Sequence, residues 1–163
     1  MADNPFTKAA TATIDRALAA QSEPEIKHGA GWFWWIAGLS VVNTVMIHSD
    51  GDRNFAIGLG FTLLADVIFK GYKLIAFGID AVALGTFAGL GLYARKGYLW
   101  AFVTGIVLYS LDALIYLALQ DWLSCAFHGF ALFYMIRGAR KLRAALQAAA
   151  EAPPAAEPPV VSA

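Results

Sequence analysis

The feature that most constrains the fold is the stretch from Tyr98 to Arg143, in which two long apolar runs flank a very short polar break at Gln120-Asp121. An apolar run of about 20 residues is long enough for a helix to cross the hydrocarbon core of a bilayer. The second run ends in a basic cluster, which is typical of the cytoplasmic end of a membrane span. The stretch therefore predicts a transmembrane helical hairpin. Such a cluster can also contact anionic lipid headgroups, so we predict that it faces lipid. The basic residues are Arg137, Arg140, Lys141 and Arg143.

Three further apolar segments precede the hairpin. Gly31–Ile47 begins with crowded tryptophans, as helices with interfacial aromatic anchors do, and Leu74–Ala94 is long enough to span outright. Asn54–Lys73 is different, because a polar or small residue recurs every four positions and marks a narrow stripe along one helical face. Such a helix either lies embedded or at the interface, or crosses with its stripe turned towards the bundle. The stripe consists of Asn54, Gly58, Thr62, Asp66 and Lys70.

The orientation follows from the lysines and arginines of short loops, which favour the cytoplasmic side. With the C-terminal basic cluster inside, Arg95-Lys96 is also inside and Gln120-Asp121 is outside. If Asn54–Lys73 does not cross, the N-terminus and Lys27 are inside as well. We therefore predict an all-α integral membrane helical bundle with four transmembrane helices, one embedded or interfacial amphipathic helix, and both termini cytoplasmic. Five transmembrane helices are the alternative.

The composition agrees with this class, since 59% of the residues are hydrophobic and only 15% are charged. We expect a polar N-terminal extension over residues 1–28, a transmembrane domain over 29–143 and a disordered Ala/Pro-rich tail over 144–163. The N-terminal residues lack the apolar core of a secretory signal, and short loops without targeting motifs favour a bacterial cytoplasmic membrane. The expected partner is the lipid bilayer, with no nucleic acid. A homo-oligomer or a membrane-protein partner is possible through the small-residue ladder Ala81-Gly85-Gly89.

Several ionisable and polar side chains fall inside the predicted helices at a similar depth, about 8–14 Å below the outer boundary. Carboxylates at such depth are costly in lipid, so they should face protein or water. We expect these side chains to form one polar layer, in which Tyr109 and Tyr116 add hydrogen bonds near Asp112 and Ser124 does so near His128. The predicted layer consists of Asn43, Asp66, Asp80, Asp112 and His128.

Three functions fit such a layer. The first is structural or accessory and non-enzymatic, with a polar network that sets helix register. The second is proton or cation handling by Asp80, Asp112 and His128, because clustered carboxylates and a histidine suit a proton relay. The third is a metal site built from those residues and His48, although no diagnostic ligand spacing is present. No other cofactor is predicted. The loops are too short for a soluble catalytic domain, and the single Cys125 cannot form an intrachain disulfide.

Overall fold

The computed structural model describes residues 23–48, 59–69 and 71–151, apart from the side chains of residues 47, 48, 66, 67 and 73. All regular secondary structure in this part of the chain is helical, which confirms the all-α prediction. The elements are α1 (Pro24–His48), α2 (Gly60–Ile68), α3 (Lys73–Arg95), α4 (Leu99–Ala118) and α5 (Trp122–Glu151).

The first and last helices extend beyond the predicted spans. Helix α1 begins at Pro24, seven residues before the predicted start, so the end of the predicted N-terminal extension is helical. Proline suits this first position because it lacks the N–H that a helix start leaves unpaired. Helix α5 continues to Glu151, so the first eight residues assigned to the tail belong to it.

Helix α2 is much shorter than the predicted segment Asn54–Lys73. Its nine residues have a length of about 14 Å, roughly half of the hydrocarbon thickness of a bilayer. The helix ends at Ile68, and the N–H of the C-cap residue Phe69 bonds to the carbonyl of Ala65. A nine-residue helix is too short to cross a membrane alone. Residues 54–58 and 70 of the predicted segment lie outside the described residues, so the choice between four and five spans stays a prediction.

The four long helices form a ring in which each packs against two others: α1 on α3, α3 on α4, α4 on α5 and α5 on α1. Helix α2 lies against α3 and α4 and touches α1. Aromatic side chains fill the space between the four long helices. Phe33 of α1 is fully buried between Phe87 and Phe102, and its ring occupies the space that a side chain on Gly105 would need.

The crossing of α1 and α5 depends on two glycines. A Cβ on Gly29 would lie 2.9 Å from both the Cα of Gly138 and the carbonyl oxygen of Tyr134. A Cβ on Gly138 would in turn lie 3.0 Å from the Cα of Gly29. Small residues let two helices approach this closely. By contrast, Gly85 and Gly89 of the predicted ladder have no neighbour in the space that a Cβ would occupy.

Two helices of the described chain, α3 and α4, are long and apolar enough to cross a membrane. Only 28% and 33% of their most apolar segments are buried inside the protein, so these are not ordinary core helices. Large aliphatic side chains of α4 are more than half exposed, among them Val103, Val107, Leu111 and Leu114.

Candidate functional site

The site is centred on Asp112, which α4 places on its buried face together with Gly105, Tyr109 and Tyr116. Both carboxylate oxygens of Asp112 accept backbone hydrogen bonds from the start of α2. The N–H of Gly60 donates to Oδ2 at 2.9 Å, and the N–H of Phe61 donates to Oδ1 at 2.8 Å. Leu59, at the N-cap position of α2, supplies no capping side chain, so Asp112 caps this helix from α4.

His128 of α5 is fully buried and is a third hydrogen-bond partner of the Asp112 carboxyl group. Its Nδ1 lies 2.8 Å from the carbonyl oxygen of Ser124, and its Nε2 lies 2.9 Å from Oδ2 of Asp112. A carbonyl can only accept a hydrogen bond, so Nδ1 carries a proton. The contact between Nε2 and Asp112 then requires one further proton, either on the imidazole or on the carboxyl group. The two side chains are therefore joined by one hydrogen bond.

Two tyrosines of α4 enclose the imidazole. The ring of Tyr109 stacks on His128 with centroids 4.2 Å apart, and the ring of Tyr116 lies 5.0 Å from it at a tilt of 48°. Both of these contacts with His128 are made by the aromatic rings. The predicted hydrogen bonds of the two hydroxyl groups near Asp112 stay a prediction. The ring of Tyr116 also lies 2.8 Å from where a Cβ on Gly60 would be, so glycine is needed at this position.

A second set of hydrogen bonds anchors the residue at which α2 starts. The N–H of Leu59 donates to Oγ of Ser40 at 2.9 Å, and this hydroxyl donates in turn to the carbonyl of Ile36. The hydroxyl of Thr62 donates to the carbonyl of Leu59 at 2.7 Å. Helix α2 is thus fixed by α1 as well as by α4. Ser40 and Gly60 are not among the predicted site residues, because a backbone N–H partner leaves no pattern in side-chain spacing.

Asp80 of α3 has a different partner from Asp112. It is 2% exposed, and its Oδ2 accepts a hydrogen bond of 3.0 Å from the hydroxyl of Thr44 on α1. Asn43 of α1 is buried as well, with 3% of its surface exposed. The structure therefore brings Asp112 and His128 into direct contact and joins Asp80 to α1. The side chains of Asp66 and His48 lie outside the described residues.

The predicted metal site stays a prediction, because the side chain of His48 lies outside the described residues. Among the side chains that the structure describes, no group of three or more His, Cys, Asp or Glu residues could hold one. A groove of about 660 Å³ runs between α3 and α4 beside α2, and Asp112 lies in its wall. The other lining residues are almost all apolar, including Leu59, Val82, Phe87 and Leu111.

The predicted basic cluster lies near the opposite end of the bundle. Arg137 of α5 donates through Nε to Oε1 of Glu25 on α1 at 3.0 Å, and Nζ of Lys141 lies 3.3 Å from Oε2. The hydrogen bond from Arg137 is the main reason why the pKa of Glu25 is lowered. At the same end, the guanidinium of Arg95 lies over the ring of Trp34, 5.9 Å from its centroid.

No family model, curated protein or solved structure matches this chain, so the function has to be argued from the site alone.

Proposed function

We propose that the chain is a multi-pass integral membrane protein in which α1, α3, α4 and α5 cross the bilayer and α2 lies embedded between them. The exposed aliphatic faces of α3 and α4 support this, because contiguous apolar surface of this kind marks contact with a membrane or a partner. Arg137, in the middle of α5, pairs with Glu25 near the start of α1, and Arg95, at the end of α3, contacts Trp34 of α1. Basic residues of α3 and α5 thus gather around the N-terminal half of α1, as expected for a cytoplasmic face.

This topology can be tested by cysteine accessibility in a Cys125→Ala background. Lys27→Cys should react with a membrane-impermeant reagent only from the inside, and Gly71→Cys only from the outside. Retention in the membrane pellet after alkaline carbonate extraction is the accompanying control. The reverse labelling pattern would contradict the four-span arrangement.

Within this protein, the Asp112–His128 pair has a structural, non-enzymatic role: it holds the short helix α2 inside the bundle. The observation that carries this proposal is that the carboxylate accepts two N–H groups from α2 and contacts His128 of α5. One side chain of α4 thereby links three helices. The backbone N–H groups at a helix start cannot be left unpaired in hydrocarbon, so a short embedded helix needs such an acceptor.

A double-mutant cycle tests this role. Asp112→Asn and His128→Gln should each destabilise the protein, and the double variant should lose less than the sum, with a coupling energy of about 0.5–3 kcal/mol. The measurement is equilibrium unfolding in mixed micelles, followed by far-UV circular dichroism. Additive losses would show that the two side chains do not act as a pair.

Proton handling is the second candidate, and it is favoured by the hydrogen bond between two ionisable side chains, Asp112 and His128, of which Asp112 lies in the wall of a groove. Purified protein in liposomes with an internal pH dye separates the two functions. A structural role predicts no proton flux above that of empty liposomes. Flux that is present in the native protein and lost in a folded Asp112→Asn variant would instead support proton handling.

A further inference from the structure

A second groove, of about 670 Å³, runs along α5 near the basic end of the bundle. The described residues that line it belong to one face of α5, where they recur at spacings of three and four and change from apolar to basic along the helix. Phe133 and Ile136, 57% and 36% exposed, form the apolar half. The groove is lined by Phe133, Ile136, Arg137, Arg140, Lys141 and Ala144.

The basic half carries more positive than negative charge. Glu25 is the acidic partner of both Arg137 and Lys141, so a single carboxylate faces two cations and Arg140 adds a third. The side chains of Arg137 and Lys141 remain 55% and 57% exposed despite these ion pairs. Glu25 holds them from the side of α1, and their outer sides remain open towards the groove.

We propose that this groove binds an anionic phospholipid, whose phosphate lies against Arg137, Arg140 and Lys141 while an acyl chain lies against Phe133 and Ile136. The proposal rests on the membrane location proposed above. Guanidinium and ammonium groups are the usual partners of phosphate, and basic side chains at the cytoplasmic surface attract anionic lipids. A soluble anion would leave the apolar half uncovered, whereas a lipid covers both halves at once.

Native mass spectrometry of the intact chain tests the proposal. The protein is released from detergent after incubation with equal amounts of dioleoyl phosphatidylglycerol and dioleoyl phosphatidylcholine, which differ in headgroup charge. We expect retention of the phosphatidylglycerol in preference to the phosphatidylcholine. Arg140→Gln should reduce this preference about fivefold, which corresponds to the ~1 kcal/mol that one basic residue near the surface contributes.

Arg143→Gln is the matched control, because Arg143 belongs to the same basic cluster but does not line the groove. It should leave the preference nearly unchanged. Equal losses in the two variants would overturn the site, since they would indicate non-specific attraction by total charge. Displacement of the lipid by excess inorganic phosphate alone would also overturn it, because the apolar half would then contribute nothing.

The same preparations separate this inference from the proposed function. If every variant stays in the membrane pellet after carbonate extraction and yet the native protein shows no headgroup preference, only the lipid site fails. If the native protein leaves the pellet, the membrane location itself is wrong.

Discussion

Asp112 and Glu25 are both carboxylates that join separate helices, but their surroundings are opposite. Asp112 is 5% exposed and is surrounded by donors from α2 and α5. Glu25 is 29% exposed and faces two basic side chains that are themselves more than half exposed. We call the surroundings of Asp112 the closed site, because protein groups enclose the carboxylate. We call the surroundings of Glu25 the open site, because other molecules can reach it at the end of the bundle.

This difference in burial determines what each carboxylate contributes. Leaving a buried hydrogen-bonding group without a partner costs about 1–3 kcal/mol, whereas exposed ion pairs contribute little. The closed site is therefore suited to holding the fold together, and the open site to contacting other molecules. The predictions below test this contrast, starting with the largest expected effect.

Replacing Asp112 should have the largest effect. Asp112→Ala leaves the N–H groups of Gly60 and Phe61 without their acceptor and His128 without its hydrogen-bond partner. We expect a loss of about 2–5 kcal/mol in the free energy of unfolding. The lower value corresponds to three interhelical hydrogen bonds of ~0.6 kcal/mol each, and the upper value to buried groups left unpaired at about 1–3 kcal/mol each. Unfolding in mixed micelles measures this loss, and a value below that of Asp121→Ala would contradict the closed-site interpretation.

Substitutions of the two glycines at the crossing of α1 and α5 should have the next largest effect on stability. Gly29→Ala or Gly138→Ala places a methyl group against the backbone of the facing helix, which cannot move as a flexible side chain would. We expect a loss of about 1–3 kcal/mol. Gly85→Ala is the control, because no atom occupies the space its methyl group would fill, and it should be neutral or stabilising. If Gly29→Ala and Gly85→Ala lowered the free energy of unfolding equally, the close approach of α1 and α5 would not explain the loss.

Replacing the carboxylate of Asp121 should have an intermediate effect on stability. It caps α5 through the N–H and the hydroxyl of Ser124, at 3.2 and 2.7 Å. Asp121→Ala should cost about 1 kcal/mol, the usual effect of losing an N-cap.

The pH dependence of this cap has a defined sign. The hydroxyl of Ser124 is the main cause of the lowered pKa of Asp121. A lowered folded-state pKa means that the contribution is present above the unfolded pKa of about 3.9 and is lost as the pH falls through the folded value. The stability difference between the native protein and Asp121→Ala should therefore shrink below about pH 4. A constant difference across this range would show that the ionised form is not what caps α5.

Glu25→Gln should have the smallest effect on stability. The carboxylate is solvent-accessible, so water and salt screen its attraction to Arg137 and Lys141. Thermal unfolding followed by tryptophan fluorescence should show at most a small decrease, which disappears at high ionic strength. A loss as large as that of Asp112→Ala would mean that the two ends of the bundle do not differ as described.

Some parts of the site can be predicted from the amino-acid sequence, and others cannot. The spacing on α4 and α5 placed Asp112 beside Tyr109 and Tyr116, and put Ser124 and His128 on one face, as the structure has them. The partner of Asp112 on α2 could not be predicted, because backbone N–H groups are present at every residue except proline. The pairing of Asp80 with Thr44 was missed as well, since it depends on how α1 and α3 are rotated against each other.

The helical class, the approximate ends of α3 and α4, and the polar residues that have to face inwards can all be predicted from the amino-acid sequence. They can be predicted because apolar periodicity and the cost of burying polar groups act locally along the chain. The packing of the helices, in contrast, is what makes α2 a short helix capped by Asp112 and brings Gly29 and Gly138 into close contact. These features depend on the axial position and rotation of packed helices, which are set by many contacts at once.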